Sequence, residues 1–158
     1  MSPRPWFVAL AHSPLGHFMQ TSQWAFAIVE MAHLLALALL GGSVLIVDLR
    51  LLGVVLKRDS AVVIGRDMSR ILLSSLVFMI LSGIAMVSEE SLKCFYSPAF
   101  RWKMALLFTA VLFYFTLHRR ALYMLGTRRA TVWSRMAAGV SIALWLGVGI
   151  AGRAIGLI

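Results

Sequence analysis

The sequence contains a single cysteine, Cys94, in 158 residues. A lone thiol excludes an intrachain disulfide and any metal motif built on paired cysteines. Acidic residues are scarce too: six Asp and Glu stand against fifteen Lys and Arg, and only 13% of the chain is charged. No Ser-His-Asp pattern, Gly-rich phosphate loop or paired-Cys motif is visible, which argues against a hydrolase or a nucleotide-using enzyme. Long linkers, low-complexity tracts and internal repeats are also missing, so residues 1–158 read as one transmembrane domain.

Apolar residues fill the space that these absences leave. Hydrophobic side chains make up 61% of the chain and the mean hydropathy is +0.89, more than a soluble domain can hide. A net charge of +9 would suggest nucleic acid in a soluble protein. Here the cations sit in short loops between apolar runs, so they set topology and no nucleic-acid partner is expected. The expected fold is all-α, an integral membrane four-helix bundle running up-down-up-down. Its spans cover about 24–47, 71–87, 102–122 and 132–151, and an interfacial segment covers 1–23. The second span is short for a hydrocarbon core of about 30 Å, so the bilayer is expected to thin or flanking side chains to snorkel.

Charge asymmetry gives the orientation. Arg50, Lys57, Arg58, Arg66 and Arg70 lie between spans one and two, and Arg119, Arg120, Arg128, Arg129 and Arg135 between spans three and four. That face is expected to be cytoplasmic in a bacterial inner membrane, which puts both termini outside (N-out, C-out). The first residues are expected to be retained, because the apolar run from Trp6 to Ala11 leads to no small-residue cleavage site. Ser13 can cap a helix that starts at Pro14, with Trp6, Phe7, Phe18 and Trp24 at headgroup depth. His12 and His17 are five apart, point in different directions on a helix, and read as solvated. Cys94 falls in an external loop and reads as inert, an intermolecular link being the other possibility.

The ionisable residues inside the spans carry the functional argument, because such groups are costly in hydrocarbon unless they have a partner or a task. Glu30 and His33 share a face of the first span. Counted from Trp24, they lie roughly 9 Å and roughly 13 Å deep. Arg153 can reach Glu30 as a structural ion pair. His33 and His118, on spans one and three, are the minimum equipment for a bis-histidine haem b. A small-residue stripe on span four, Gly139, Ala143, Gly147 and Ala151, suits close helix packing and equally a flat macrocycle. Depth argues against the simplest version: His118 falls roughly 10 Å deeper than His33, on a diagonal helix. His33 then binds alone or with another ligand type, and His118 joins the basic cluster beside Arg119 and Arg120.

Copper is the competing metal, since Met31, Met79, Met86 and Met104 offer soft thioethers, although methionine is also a common core filler. Asp48 is expected to pair with Arg50, Arg70, Arg119 or Arg120 and pin helix ends. Lys103 reads as a snorkelling anchor or, with Arg101 and Arg153, as a partner for haem propionates.

Ser13-Pro14-Leu15-Gly16, Glu30-x-x-His33-Leu34-Leu35, Asp48-Leu49-Arg50-Leu51-Leu52-Gly53, Pro98-Ala99-Phe100-Arg101-x-Lys103 and His118 together resemble the signature of a family of small bacterial inner-membrane proteins of unknown function. More distantly, the chain is similar to the copper-resistance D membrane domain and to the small membrane protoporphyrinogen oxidase family. The resemblance implies a redox or metal context, with Glu30, His33, Lys103 and His118 as the positions to watch. Two readings stand. One is a haem b electron-transfer protein in the bilayer, with His33 and His118 as axial ligands, Arg153, Arg101 or Lys103 near the propionates, and quinone or a periplasmic redox protein as partner. The other is a non-enzymatic module for copper handling or for anchoring a partner complex, with Glu30, His33 and His118 as candidate metal ligands. Whether any reaction is catalysed stays open, as does homo-oligomer formation.

Overall fold

The computed structural model describes residues 4–56, 58, 60–89, 91–123 and 128–155. Those residues are all helix and short connections. In chain order they form α1 (Arg4–Ala11), α2 (Pro14–Thr21), α3 (Gln23–Leu51), α4 (Ala61–Glu89), α5 (Ser91–Tyr96) and α6 (Pro98–Phe113). A π-helical turn (Tyr114–His118), α7 (Arg119–Tyr123) and α8 (Arg128–Ile155) follow. Four stretches are long and apolar enough to cross a membrane: Gln23–Leu51, Ala61–Glu89, Pro98–Ala121 and Val132–Ala154. This is a multi-pass membrane protein with a four-helix bundle.

The helix that carries the second span is longer than its apolar run. Helix α4 runs 29 residues, because the sequence before Ile71 continues as helix with Arg66, Asp67 and Arg70 exposed. A helix of that length is roughly 43 Å long, while its continuous apolar run still begins at Ile71. Helix α3 packs on α4 and α8, and α8 on α6, so α3 and α6 lie diagonally.

Local chemistry explains the helix ends. Ser13 accepts a hydrogen bond from the Gly16 amide at 3.1 Å with Pro14 in the first turn, as the sequence suggests. A Cβ on Gly16 would sit 2.6 Å from the Ala11 carbonyl oxygen, so this corner closes only around glycine. Ser22 and Ser97 cap α3 and α6 in the same way. Helix α3 ends at Gly53, whose φ of 75° lies in the left-handed region. There the Gly53 and Val54 amides donate to the Arg50 and Leu49 carbonyls at 3.1 and 2.9 Å, a Schellman closure.

The surface and the interior are inverted relative to a soluble bundle. Large apolar side chains such as Phe108 and Ile150, both 71% exposed, face outward, whereas the buried set includes Ser43, Ser75, Ser82, Ser134 and Ser141. Small residues let membrane helices approach, and their hydroxyls must be satisfied locally. Ser43 donates to the Leu40 carbonyl and Ser134 to the Ala121 carbonyl. Helices α1, α2 and α5 cap the end of the bundle where α3 starts and α8 finishes. Phe7 packs there on Phe95 and Phe100, while Trp6 and Trp24 stay exposed. We refer to it as the capped end, and to the opposite, arginine-rich end as the basic end. Cys94 is buried in α5 and not in an open loop, which removes the intermolecular link.

Candidate functional site

Two polar centres lie inside the bundle, one towards each end. At the basic end, His118 closes the π turn and Asp48 stands one turn before the end of α3. A turn wider than α is marked by the Arg119 amide donating to the Tyr114 carbonyl. Along α6 and this turn Ala110, Tyr114 and His118, spaced by four, all remain buried. The His118 Nε2 to Asp48 Oδ1 distance is 2.7 Å, and both side chains are fully buried. Tyr114 stacks on the imidazole, with ring centroids 5.3 Å apart and planes 28° apart. Ser141 of α8 borders the carboxylate, and Val44 and Leu72 close the apolar wall around Tyr114. His118 Nδ1 and Asp48 Oδ2 have no hydrogen-bond partner.

Asp48 therefore does not pair with Arg70, Arg119 or Arg120, all of which are exposed. The expected clasp exists, but its cation is replaced by an imidazole, because His118 is buried beside Asp48 while Arg70, Arg119 and Arg120 face outward.

Towards the capped end, His33 is 9% exposed and its Nδ1 lies 2.8 Å from Ser82 Oγ. Ser82 also donates to the Phe78 carbonyl at 2.7 Å. A hydroxyl has one proton, so with that proton on Phe78 the His33 Nδ1–H donates to Ser82 Oγ. The lone pair is then at Nε2, which carries no hydrogen bond. The ring rests against Gly83, where a Cβ would stand 3.5 Å from His33 Cε1. The Lys103 charge is close enough to interact with His33 and with Cys94. Its chain lies over Gly152, whose Cβ position is 3.4 Å from Lys103 Cε.

The remaining sequence candidates are dispersed. Glu30 and Arg153 are both exposed, and neither makes an ion pair with the other. The expected pair fails because Glu30 turns towards the surface that bears Met31 and Leu34. Arg101 is exposed and donates to the Phe95 carbonyl at 3.4 Å. Met79 sits in the core with Leu40 and Leu76, whereas Met31 and Met104 are exposed. In the small-residue stripe, Gly147 receives Leu106 at 3.4 Å from its Cβ position and Gly139 is open. His12 and His17 are exposed, in line with their solvated reading.

His33 and His118 are not brought together. His118 meets α3 at Asp48, fifteen residues past His33, which is ~22 Å along the helix axis. No group of three His, Cys, Asp or Glu side chains that could hold a metal forms among the described residues. The residue that sequence reasoning missed is Ser82. Its only signal is a small polar residue within the apolar run Val77–Val87 of α4.

Fold and site together define a four-helix membrane bundle with two separate histidine centres, one enclosed and one with a free ring nitrogen. The chain belongs to a family of unknown function, DUF6644, whose model matches residues 7–158. Neither the comparison with curated proteins nor that with solved structures gives a match.

Proposed function

We propose that this protein is a haem b-binding redox module of the bacterial inner membrane, with His33 as its iron ligand. The observation that carries the reading is the hydrogen-bond chain His33 Nδ1–H to Ser82 Oγ to the Phe78 carbonyl. It fixes the imidazole in the tautomer that presents a lone pair at Nε2, and it supplies the second-shell partner that ligating histidines usually have. Lys103 places a cation beside His33, suited to a propionate carboxylate. Gly83 keeps a side chain away from the ring. A haem held there would supply one-electron exchange. The protein's own part is to orient the ring, exclude water with the apolar wall of α3 and α4, and offset carboxylate charge. With His118 committed to Asp48, His33 is the imidazole within the spans that is available to such a group.

The capped end would then face the periplasm, by the cation asymmetry of the loops, and electrons would come from quinone or a periplasmic redox protein. Copper handling has less support, since the methionines do not converge. The test is an absorption spectrum of the full-length protein, purified in detergent after expression with ample haem. A Soret band is expected in the wild type and in His118→Gln, and none in His33→Ala. A colourless wild type, or a His33→Ala variant that keeps its pigment, overturns the proposal.

A further inference from the structure

We infer that Asp48 and His118 form a proton-binding site enclosed within the bundle near its basic end, independent of any cofactor at His33. A structural clasp requires only the 2.7 Å contact between Nε2 and Oδ1. This pair has more: a second carboxylate oxygen and a second ring nitrogen, both enclosed and both without a partner. Buried polar atoms are almost always satisfied, and a buried ion pair is no more stabilising than well-packed hydrocarbon. Two unsatisfied atoms at a fully buried ion pair therefore point to a guest that comes and goes. The guest that a fully buried imidazole nitrogen takes up most readily is a proton.

With one proton shared between Nε2 and Oδ1, the pair carries one negative charge and His118 Nδ1 is a bare acceptor. A hydronium ion at the basic end delivers a proton to Nδ1, becomes water, and leaves the pair neutral. No other bond is made or broken, and release is the reverse. Two opposed influences act on the pair. The apolar wall of Val44, Leu72 and Tyr114 favours the neutral, loaded pair. The cations around it favour the anionic, empty one.

Every neighbouring element contributes to that balance. Helix α3 supplies the partly buried Arg50, and α4 supplies Arg66, Asp67 and Arg70, all exposed. The π turn supplies Tyr114 against the ring, and α7 the exposed Arg119 and Arg120. Helix α8 supplies the exposed Arg135 and the buried Ser141. The charged side chains form a rim, and only uncharged ones line the site.

The experiment is a pH titration of full-length protein in lipid nanodiscs, with ring-15N histidine followed by NMR from about pH 5 to about pH 9. His118→Gln assigns the signal, and His33→Ala serves as a haem-independent background. The expected result is that both ring nitrogens of His118 change in one step that is unaltered by His33→Ala. Asp48→Asn should move the midpoint by more than about tenfold in proton concentration, and Ser141→Ala by less. A His118 signal constant over the whole range in folded wild type overturns the inference, because a permanent clasp would not titrate. If Asp48→Asn does not fold, the wild-type titration and Ser141→Ala decide alone. Failure of the haem reading would instead appear as a colourless protein whose His118 still titrates.

Discussion

The two histidine centres differ in how completely the fold encloses them. At the basic end, His118 and Asp48 are fully buried and bound to each other. They are stacked against Tyr114 and gripped by α3, the π turn and α8. Towards the capped end, His33 has one neutral partner, Ser82, and a free Nε2. The lesson is that intramembrane polarity serves two ends in one bundle. An enclosed pair ties helices together and holds charge away from lipid, while a half-committed ring remains available to something else. Different substitutions should therefore separate the two centres.

The largest effect is expected from Asp48→Ala. It leaves a fully buried imidazole with neither ring nitrogen bonded, and breaking such a pair from one side costs about 3–5 kcal/mol. Thermal or denaturant unfolding in detergent should show a loss of that order. The double variant Asp48→Leu with His118→Leu should recover much of it, because an apolar pair leaves no polar atom stranded. If the single variant were as stable as wild type, the enclosed centre would not be the structural anchor described here.

His33→Ala should cost far less, about 1–2 kcal/mol, since Ser82 keeps its bond to the Phe78 carbonyl and only one neutral hydrogen bond and some packing are lost. The comparison sharpens if this variant unfolds close to wild type yet loses all bound pigment. It breaks if His33→Ala is as damaging as Asp48→Ala, because the ring would then be structural. Ser82→Ala is a finer probe: about 0.5–1.5 kcal/mol in stability, and a loss of roughly 10–100-fold in haem affinity, measured by haem titration.

Much of this division is legible in the residues and some is not. The four spans, the Ser13-Pro14 cap and the diagonal placement of spans one and three follow from apolar length, capping chemistry and chain order. The Ser13-x-x-Gly16 and Leu52-Gly53 signatures are helix-corner geometry: a Cβ on Gly16 would meet backbone oxygens, and Gly53 is left-handed. The Asp48–His118 bond was hidden because a π turn shifts the register of everything after Tyr114, and no hydrophobic period announces a single wide turn. Ser82 was hidden because serine in a membrane helix is usually packing. Its role depends on which residue of α3 lies opposite, and only the helix pairing sets that.

The smallest effect is expected at Glu30, where sequence and structure disagree most. A carboxylate two turns into a span looks as if it must be paired, and Arg153 was its natural partner. Both are exposed and apart, so Glu30→Gln should change stability by no more than about 0.5 kcal/mol and leave any pigment at His33 intact. Among the described residues the substitution removes no hydrogen bond or ion pair. A loss above about 2 kcal/mol in nanodiscs would mean that Glu30 has a partner the single chain does not provide. Arg153 of a second copy would then be the first residue to test by charge reversal, with Glu30→Arg rescued by Arg153→Glu. Such a rescue would turn the comparison from two centres within one bundle into one enclosed centre and one shared between copies.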